Sequence, residues 1–414
     1  ISPARRAAFE TVLRVFEDGA YADRAFRPAA ESLDARERAL AQRLAYGTVQ
    51  RVRTLDHGIE QLGRRPAAKL DPPVRTALRL GAYQLAFSDV AAHAAVNESV
   101  ELVRAAGLER AVKFANAVLR RLALGLHELV DGLPEETAQQ AALRNSYPDW
   151  VAEAWWRDLG RDDARALMRA QNEPPETVVR VNRRRHAPVT GEPDGEIPGA
   201  VHVDRVDEGE LAAGSVWPQS RGSQLAGLAV GARAGERILD LCAAPGGKAT
   251  QLSEAGGEVV AVEKHEGRAR ELEENCRRLG AENVRVVHAD ALALPDELGE
   301  FDRVLVDAPC SGLGVLAGRP DLRWRAQPLP ELQRDLLGVA AGRVRPGGTV
   351  TYSVCTVNVD ENEAVVDASG LAPEPLGEQW PRFAHPRRPE FLLTLPHVHH
   401  TSGFFVARLR RSAA

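Results

Sequence analysis

The chain has 414 residues, too many for one ordinary hydrophobic core, so two or three domains are expected. Its 44% apolar and 27% charged residues are those of a soluble globular protein, which sets aside disordered and fibrous classes. No apolar run is long enough to span a bilayer, and no signal-type apolar block follows Arg5 and Arg6, so no membrane partner and a cytoplasmic setting are expected. The four cysteines, Cys242, Cys276, Cys310 and Cys355, are too widely spaced for a disulfide framework or a zinc pattern; no metal is expected, and a reducing compartment leaves the thiols free.

The formal net charge of −5 is unevenly spread. Residues 1–130 carry 20 Lys+Arg against 15 Asp+Glu, whereas the remainder carries 33 against 43. A basic front on an acidic body points to the front as the part that meets a polyanion, although so small an excess is equally that of an ordinary solvated surface.

Residues 1–130 read as helical. Phe9, Val12, Leu13 and Phe16 share one helix face, as do Leu55, Ile59 and Leu62, and then Val74, Leu78, Gly81 and Leu85. Asp71-Pro72-Pro73 is a helix start, and Gly63 and Gly107 are stops. At least five helices and no strand predict a helix bundle. Residues 131–218 form a connecting segment. Helix runs through Trp150, Trp155 and Met168 to the breaker Glu173-Pro174-Pro175, followed by a short strand at Thr177–Val181 and a Pro/Gly-rich stretch.

From residue 219 onward the pattern is α/β. Predicted strands at 237–241, 258–263, 284–288, 303–307 and 349–353 alternate with helices, including one from Arg268 to Leu279. Such alternation gives a mostly parallel, doubly wound, Rossmann-like sheet that binds ligands at the carboxyl ends of its strands.

Several residues fall at those strand ends. The loop Cys242-Ala243-Ala244-Pro245-Gly246-Gly247-Lys248 leaves the first strand, and its glycines let a ligand approach the backbone at a helix N-terminus. Glu263 closes the second strand, where an acid typically bonds a ribose. Asp290 follows the third, within reach of an adenine amino group, and Asp307 ends the fourth. Arg268 joins this cofactor-binding set. The loop lacks the G-x-G-x-x-G spacing, which argues against NAD or FAD. Any one of these acids could instead be a helix cap, but together they suit a nucleoside cofactor.

Cys310, in Asp307-Ala308-Pro309-Cys310-Ser311-Gly312, and Cys355, in Tyr352-Ser353-Val354-Cys355-Thr356, both leave strand ends on the cofactor face. A thiolate that adds to C6 of a cytosine makes C5 nucleophilic toward a sulfonium methyl group, and a second group must then remove the C5 proton. Spacing alone offers two candidate nucleophiles and does not rank them. Cys276, on a helix, and Cys242 are more simply packing residues.

The segments 240–248, 307–311 and 353–356 resemble the signature motifs of the Nop2/Sun RNA cytosine-5 methyltransferases, over most of residues 235–410. The front, with Val96-Asn97-Glu98-Ser99-Val100-Glu101 and Phe114–Arg121, resembles the NusB-type helical RNA-binding domain. The resemblance implies S-adenosylmethionine as cofactor, one cytosine of small-subunit (16S) ribosomal RNA as target, and a monomer. It makes Cys355 the nucleophile and Cys310 the residue that helps release product. Asp307 would contact the cytosine edge, and Lys248 would lie near the cofactor's amino-acid end. Arg319-Pro320-Asp321 and Arg323-Trp324 match a family segment beside the active site, with a phosphate or substrate role open to Arg319.

The sequence departs from the family pattern at Ser220 and Ser402, where acids are common, and the stretch from Trp324 to Leu329 is shortened. The competing readings are an RNA-binding assembly or antitermination factor, a methyltransferase acting on tRNA, and a DNA cytosine methyltransferase using the Pro-Cys thiol. Retention of both thiols and the acids speaks against the first, and Cys355 with the NusB-like front against the last. His385, His397, His399 and His400 are read as a loop before the final strand rather than as a metal site.

Overall fold

The computed structural model describes residues 1–185 and 188–413. The chain forms two compact units, Ile1–Glu173 with Leu316–Arg325, and Pro174–Val315 with Ala326–Ala414.

The first unit is helical: α1 (Pro3–Glu17), α2 (Ala22–Ala29), α3 (Ala35–Gly63), α4 (Pro72–Phe87), α5 (Ala92–Ala105), α6 (Glu109–Asp131), α7 (Ala138–Asn145), α8 (Asp149–Leu159) and α9 (Arg161–Ala170). Their starts follow local chemistry. Asp34 caps α3 by accepting from the Glu37 N–H, and Thr137 and Gln140 form a reciprocal capping box on α7. Proline opens α4 as expected, but the Asp71 side chain makes no capping bond. The apolar faces meet in one core that includes Leu44, Leu55, Ile59, Leu78, Leu119 and Leu122.

Two groupings differ from the domain limits expected from sequence. The segment 131–218 divides at Glu173/Pro174, on the Pro-Pro breaker, with its helices in the helical unit and its strands in the other. Residues 316–325 also belong to the helical unit, although they lie within the α/β part of the sequence. There Arg323 is fully buried. Its guanidinium donates to the carbonyls of Gln50 and Ser146 and to Asn172 Oδ1, and lies 4.1 Å over the Tyr147 ring.

The second unit begins with a small antiparallel sheet of β1 (Val178–Val181), β2 (Glu192–Pro193), β3 (Ala200–His202) and β4 (Val216–Pro218), in the order β2-β3-β1-β4. Helix α10 (Arg221–Ala229) leads into β5 (Arg237–Asp240), α11 (Gly247–Ser253), β6 (Glu258–Glu263), α12 (Glu266–Leu279), β7 (Val284–His288), β8 (Phe301–Asp307), α13 (Pro330–Arg343) and β9 (Val344–Val354). The short β10 (Ala372–Glu374), β11 (Leu392–Thr394) and β12 (Phe404–Arg410) complete the large sheet, ordered β10-β12-β9-β8-β5-β6-β7 with β11 beside β12. Strands β5 to β9 pair in parallel, and β12 runs antiparallel to β9. Strand order turns back at β5, which has β6 on one side and β8 on the other. The loops after β5 and β8 therefore open the crevice where such sheets bind ligands.

Candidate functional site

Three loops build the site. Pairing persists past the end of β5, where the Leu241 N–H donates to the Leu305 carbonyl and the Ala243 N–H to that of Val262, so the glycine loop starts from a fixed position. Gly246 has φ +109°, open to glycine but strained for other residues, and a Cβ there would lie 2.8 Å from Leu272 Cδ1. A Cβ on Gly247 would meet the Trp217 indole nitrogen at 2.7 Å. The loop thus turns tightly into α11, with its two glycines packed against Leu272 and Trp217.

Arg180 on β1 supports this turn from beneath. Its buried guanidinium donates to Thr250 Oγ1 at 2.8 Å and Gln219 Oε1 at 3.0 Å, and pairs with Glu254. Sequence reading took its strand only for β-branched content and passed over the charged residue.

The expected cofactor acids lie along successive strand ends. Glu263 is buried, accepts from the His265 N–H at 2.8 Å and faces Arg268 Nε at 3.6 Å. Arg268 also donates to the Ala244 carbonyl at 2.8 Å, tying the second acid to the glycine loop. Asp290 pairs with Lys264 at 2.7 Å and caps the following turn through the Leu292 N–H. The Lys264 hydrogen bond and that N–H hold its carboxyl below the usual range. Asp240, which carried no assignment from sequence, is fully enclosed; burial and the Asp307 charge push its carboxyl up to about 7.

The two thiols come together. In the parallel register Asp307 lies opposite Ser353, so the chain leaves both strands side by side. The Ala308 N–H donates to the Ser353 carbonyl and the Gly314 N–H to that of Cys355, and the sulfurs of Cys310 and Cys355 stand 3.4 Å apart. Beside them Lys248 Nζ meets Asp307 Oδ2 at 2.8 Å, Ser353 Oγ donates to Asp307 Oδ1 at 2.8 Å, and the ammonium lies 5.0 Å from the Phe404 ring centre.

Electrostatics separates the thiols, which spacing did not. The hydrogen bond with the Cys310 thiol, helped by the Lys248 ammonium, lowers the pKa of Cys355 against the opposing effects of burial and the Asp307 charge. The same hydrogen bond, with burial, raises Cys310 well above a normal thiol. Of the two thiols, Cys355 is the more readily ionised. Burial among Asp240, Asp307 and Glu263 keeps Cys242 a neutral thiol, and Cys276 sits in the core, where burial raises it to about 11.

A further residue missed from sequence holds the Cys310 loop. The buried Glu361 carboxylate accepts from the Ser311 N–H at 2.9 Å, the Leu329 N–H at 3.1 Å and Gln333 Nε2 at 2.9 Å, and also from the Ser311 hydroxyl. Farther along, the Gly403 N–H donates to the Gly314 carbonyl at 2.8 Å, and a Cβ on Gly314 would collide with the Gly403 backbone.

The remaining marked residues have structural partners. Arg319 lies in the helical unit, 3.8 Å from Asp23. Ser220 caps α10 through the Ser223 N–H, and the Ser402 carbonyl accepts from Thr394 Oγ1. His385 donates through Nε2 to Glu363 at 2.7 Å and accepts backbone N–H groups at Nδ1; His399 accepts from the Leu395 N–H. Among the described residues no group of three His, Cys, Asp or Glu side chains is placed to hold a metal, and no helix is long and apolar enough to cross a membrane.

Comparison with known proteins settles the family. The profile of the family described as 16S rRNA methyltransferase RsmB/F matches residues 228–410, that of the NusB family residues 2–124, and that of an RsmF/B-like ferredoxin-like domain residues 147–189. Ribosomal RNA small subunit methyltransferase B of Escherichia coli is 30% identical over 98% of both chains. A Synechocystis relative named "Probable ribosomal RNA small subunit methyltransferase B" is 34% identical over 99% of both. The chain belongs to the RsmB/F methyltransferase family, in a form that carries a NusB domain.

Among solved structures, the one titled "Crystal Structure of PH0851" matches 99% of both chains with a TM-score of 0.81 at 25% identity. A methyltransferase homolog protein from Pyrococcus horikoshii matches 67% of this chain and all of its own with a TM-score of 0.57 at 26% identity. The Rossmann-like fold and the helical front expected from sequence are those of this family, and its cofactor is S-adenosylmethionine. The chain's residues fit that group. A tight glycine turn at a helix N-terminus suits an amino-acid moiety, and acids at successive strand ends suit hydroxyl, amino and ammonium groups.

Proposed function

We propose that this RsmB/F member transfers a methyl group to C5 of a specific cytosine in small-subunit (16S) ribosomal RNA through a covalent Cys355–C6 adduct. The observation that carries the reading is the pair of thiols 3.4 Å apart at adjacent strand ends, with the Lys248–Asp307 pair beside them.

S-adenosylmethionine, when bound, supplies an electrophilic methyl group. The loop 242–248, Glu263, Arg268, Asp290 and Asp307 hold it, with Lys248 toward its amino-acid end. Cys355 adds as thiolate to C6 of the cytosine; the new C–S bond sends an electron pair to C5, which becomes the nucleophile. Asp307, oriented by Lys248 and Ser353, meets the polar edge of the base. Once C5 is methylated, the Cys310 thiol gives its own proton to solvent, and the resulting thiolate, the more basic of the two sulfurs, takes the C5 proton. The electron pair re-forms the C5–C6 double bond, and Cys355 leaves as thiolate. Glu361 and Gly314 fix the loop from which Cys310 acts.

The NusB domain binds the RNA, and free or early-assembly RNA is the substrate, since flipping a base out costs less before the RNA is locked in protein. The test is transfer of labelled methyl to deproteinised small-subunit RNA. Wild type transfers, Cys355→Ala does not, and Cys310→Ala accumulates a protein–RNA adduct. Transfer by Cys355→Ala would overturn the assignment.

A further inference from the structure

The thiol pair has a chemistry that methyl transfer does not use. The sulfurs are already in contact at 3.4 Å, little more than an ångström beyond a disulfide bond of about 2.0 Å. Their backbones suit closure. Cys310 and Cys355 follow parallel strands in register at Asp307 and Ser353, and two loop hydrogen bonds, Ala308 N–H to Ser353 carbonyl and Gly314 N–H to Cys355 carbonyl, bracket the pair. Both side chains are partly exposed, so a small oxidant can reach them. Nothing else need move far.

We infer that Cys310 and Cys355 form a reversible oxidation site for hydroperoxides, closing to an intramolecular disulfide that masks the proposed nucleophile. The Cys355 thiolate attacks one peroxide oxygen; an S–O bond forms, the O–O bond breaks, and the leaving oxygen departs as water or alcohol after taking a proton. The Cys310 sulfur then attacks the sulfenic sulfur of Cys355. The S–S bond forms, the S–O bond breaks, and hydroxide leaves as water with the Cys310 proton. Two thiols lose two electrons in all, and one peroxide gains them. The other cysteines take no part. Cys242 is ringed by Asp240, Asp307 and Glu263, which disfavour a thiolate, and Cys276 is enclosed in the core. In use, the neighbour that aids release of the RNA doubles as the resolving thiol, so peroxide halts methylation without destroying the enzyme.

The test treats reductant-free full-length protein with hydrogen peroxide. It then counts thiols under denaturing conditions, weighs the intact chain and maps peptides. Two of the four thiols are expected to disappear with a mass loss of about 2 Da, a Cys310–Cys355 linked peptide to appear, and dithiothreitol to restore both. In Cys310→Ser the same treatment is expected to add roughly 32 Da at Cys355, as sulfinic acid, without recovery by dithiothreitol. Four titrating thiols after treatment, or a link to Cys242, would overturn the inference. Loss of methyl transfer in step with the disulfide rests on the proposed role of Cys355. If the disulfide forms and methyl transfer persists, the oxidation site stands and that role falls.

Discussion

Replacing Lys248 with methionine removes a positive charge from beside the thiols while keeping a side chain of similar length. In the wild type the ammonium is 2.8 Å from Asp307 Oδ2 with its side chain only 10% exposed, and its charge offsets part of the Asp307 effect on Cys355. Without Lys248, Asp307 faces the Cys355 thiolate unopposed, and both changes disfavour the anion. One charge a few ångström away in a partly buried site is worth about 1–2 pKa units. The midpoint of the Cys355 thiol should therefore rise by that amount, lowering its thiolate fraction at neutral pH. Peptide-resolved alkylation by iodoacetamide across pH, without cofactor or RNA, reads this apart from any loss of cofactor binding. Lys248→Arg keeps the charge and should stay near wild type. A midpoint in Lys248→Met that is unmoved or lower would refute the electrostatic ranking of the thiols.

Other outcomes follow from the same geometry. Glu361→Ala strips the acceptor from four donors that fix the Cys310 loop, and denaturant unfolding should show a loss of about 3–5 kcal/mol. Arg323→Ala strips the guanidinium donor from the buried Ser146 carbonyl and from Asn172 Oδ1, and the helical unit should lose roughly 3 kcal/mol by the same measure. Burial opposes ionisation of Glu363, but the His385 hydrogen bond outweighs it and holds the folded pKa below the unfolded 4.5. The stability difference between wild type and Glu363→Gln, about 1–3 kcal/mol, should be full above pH 4.5 and vanish as pH falls through the folded value. Asp240 has the opposite sign: its folded pKa of about 7 exceeds the unfolded 3.8, so ionisation opposes folding as pH rises between them. Asp240→Asn should gain stability relative to wild type at pH 8 and lose that gain at pH 4, as melting temperatures across pH will show.

Much of the α/β unit was legible because strand and helix alternate with clear periods; the predicted strands at 258–263 and 284–288 match β6 and β7 residue for residue. Strand ends were legible too, which is why Lys248, Asp307, Cys310 and Cys355 stand out as candidates in the sequence. Their contact was not. Cys310 and Cys355 are separated by 45 positions, and only the Asp307–Ser353 register brings them together. Glu361 and Arg180 act by holding loops rather than by occupying a strand end, so no motif or period marks them. The Glu173-Pro174-Pro175 breaker was visible, but neither composition nor period showed that the chain changes units there. The return of residues 316–325 to the helical unit depends on where Arg323 finds buried carbonyls, a tertiary fact without a local signature.

The central claim is that Cys355, not Cys310, bonds to the target cytosine. Small-subunit RNA carrying 5-fluorocytidine cannot lose a C5 proton, so the adduct is trapped after methyl transfer. Digestion of the trapped complex formed with S-adenosylmethionine, followed by peptide mass mapping, locates the bond. A nucleotide on the peptide containing Cys355, with Cys310 free, is the predicted result. A nucleotide on Cys310 would contradict the account.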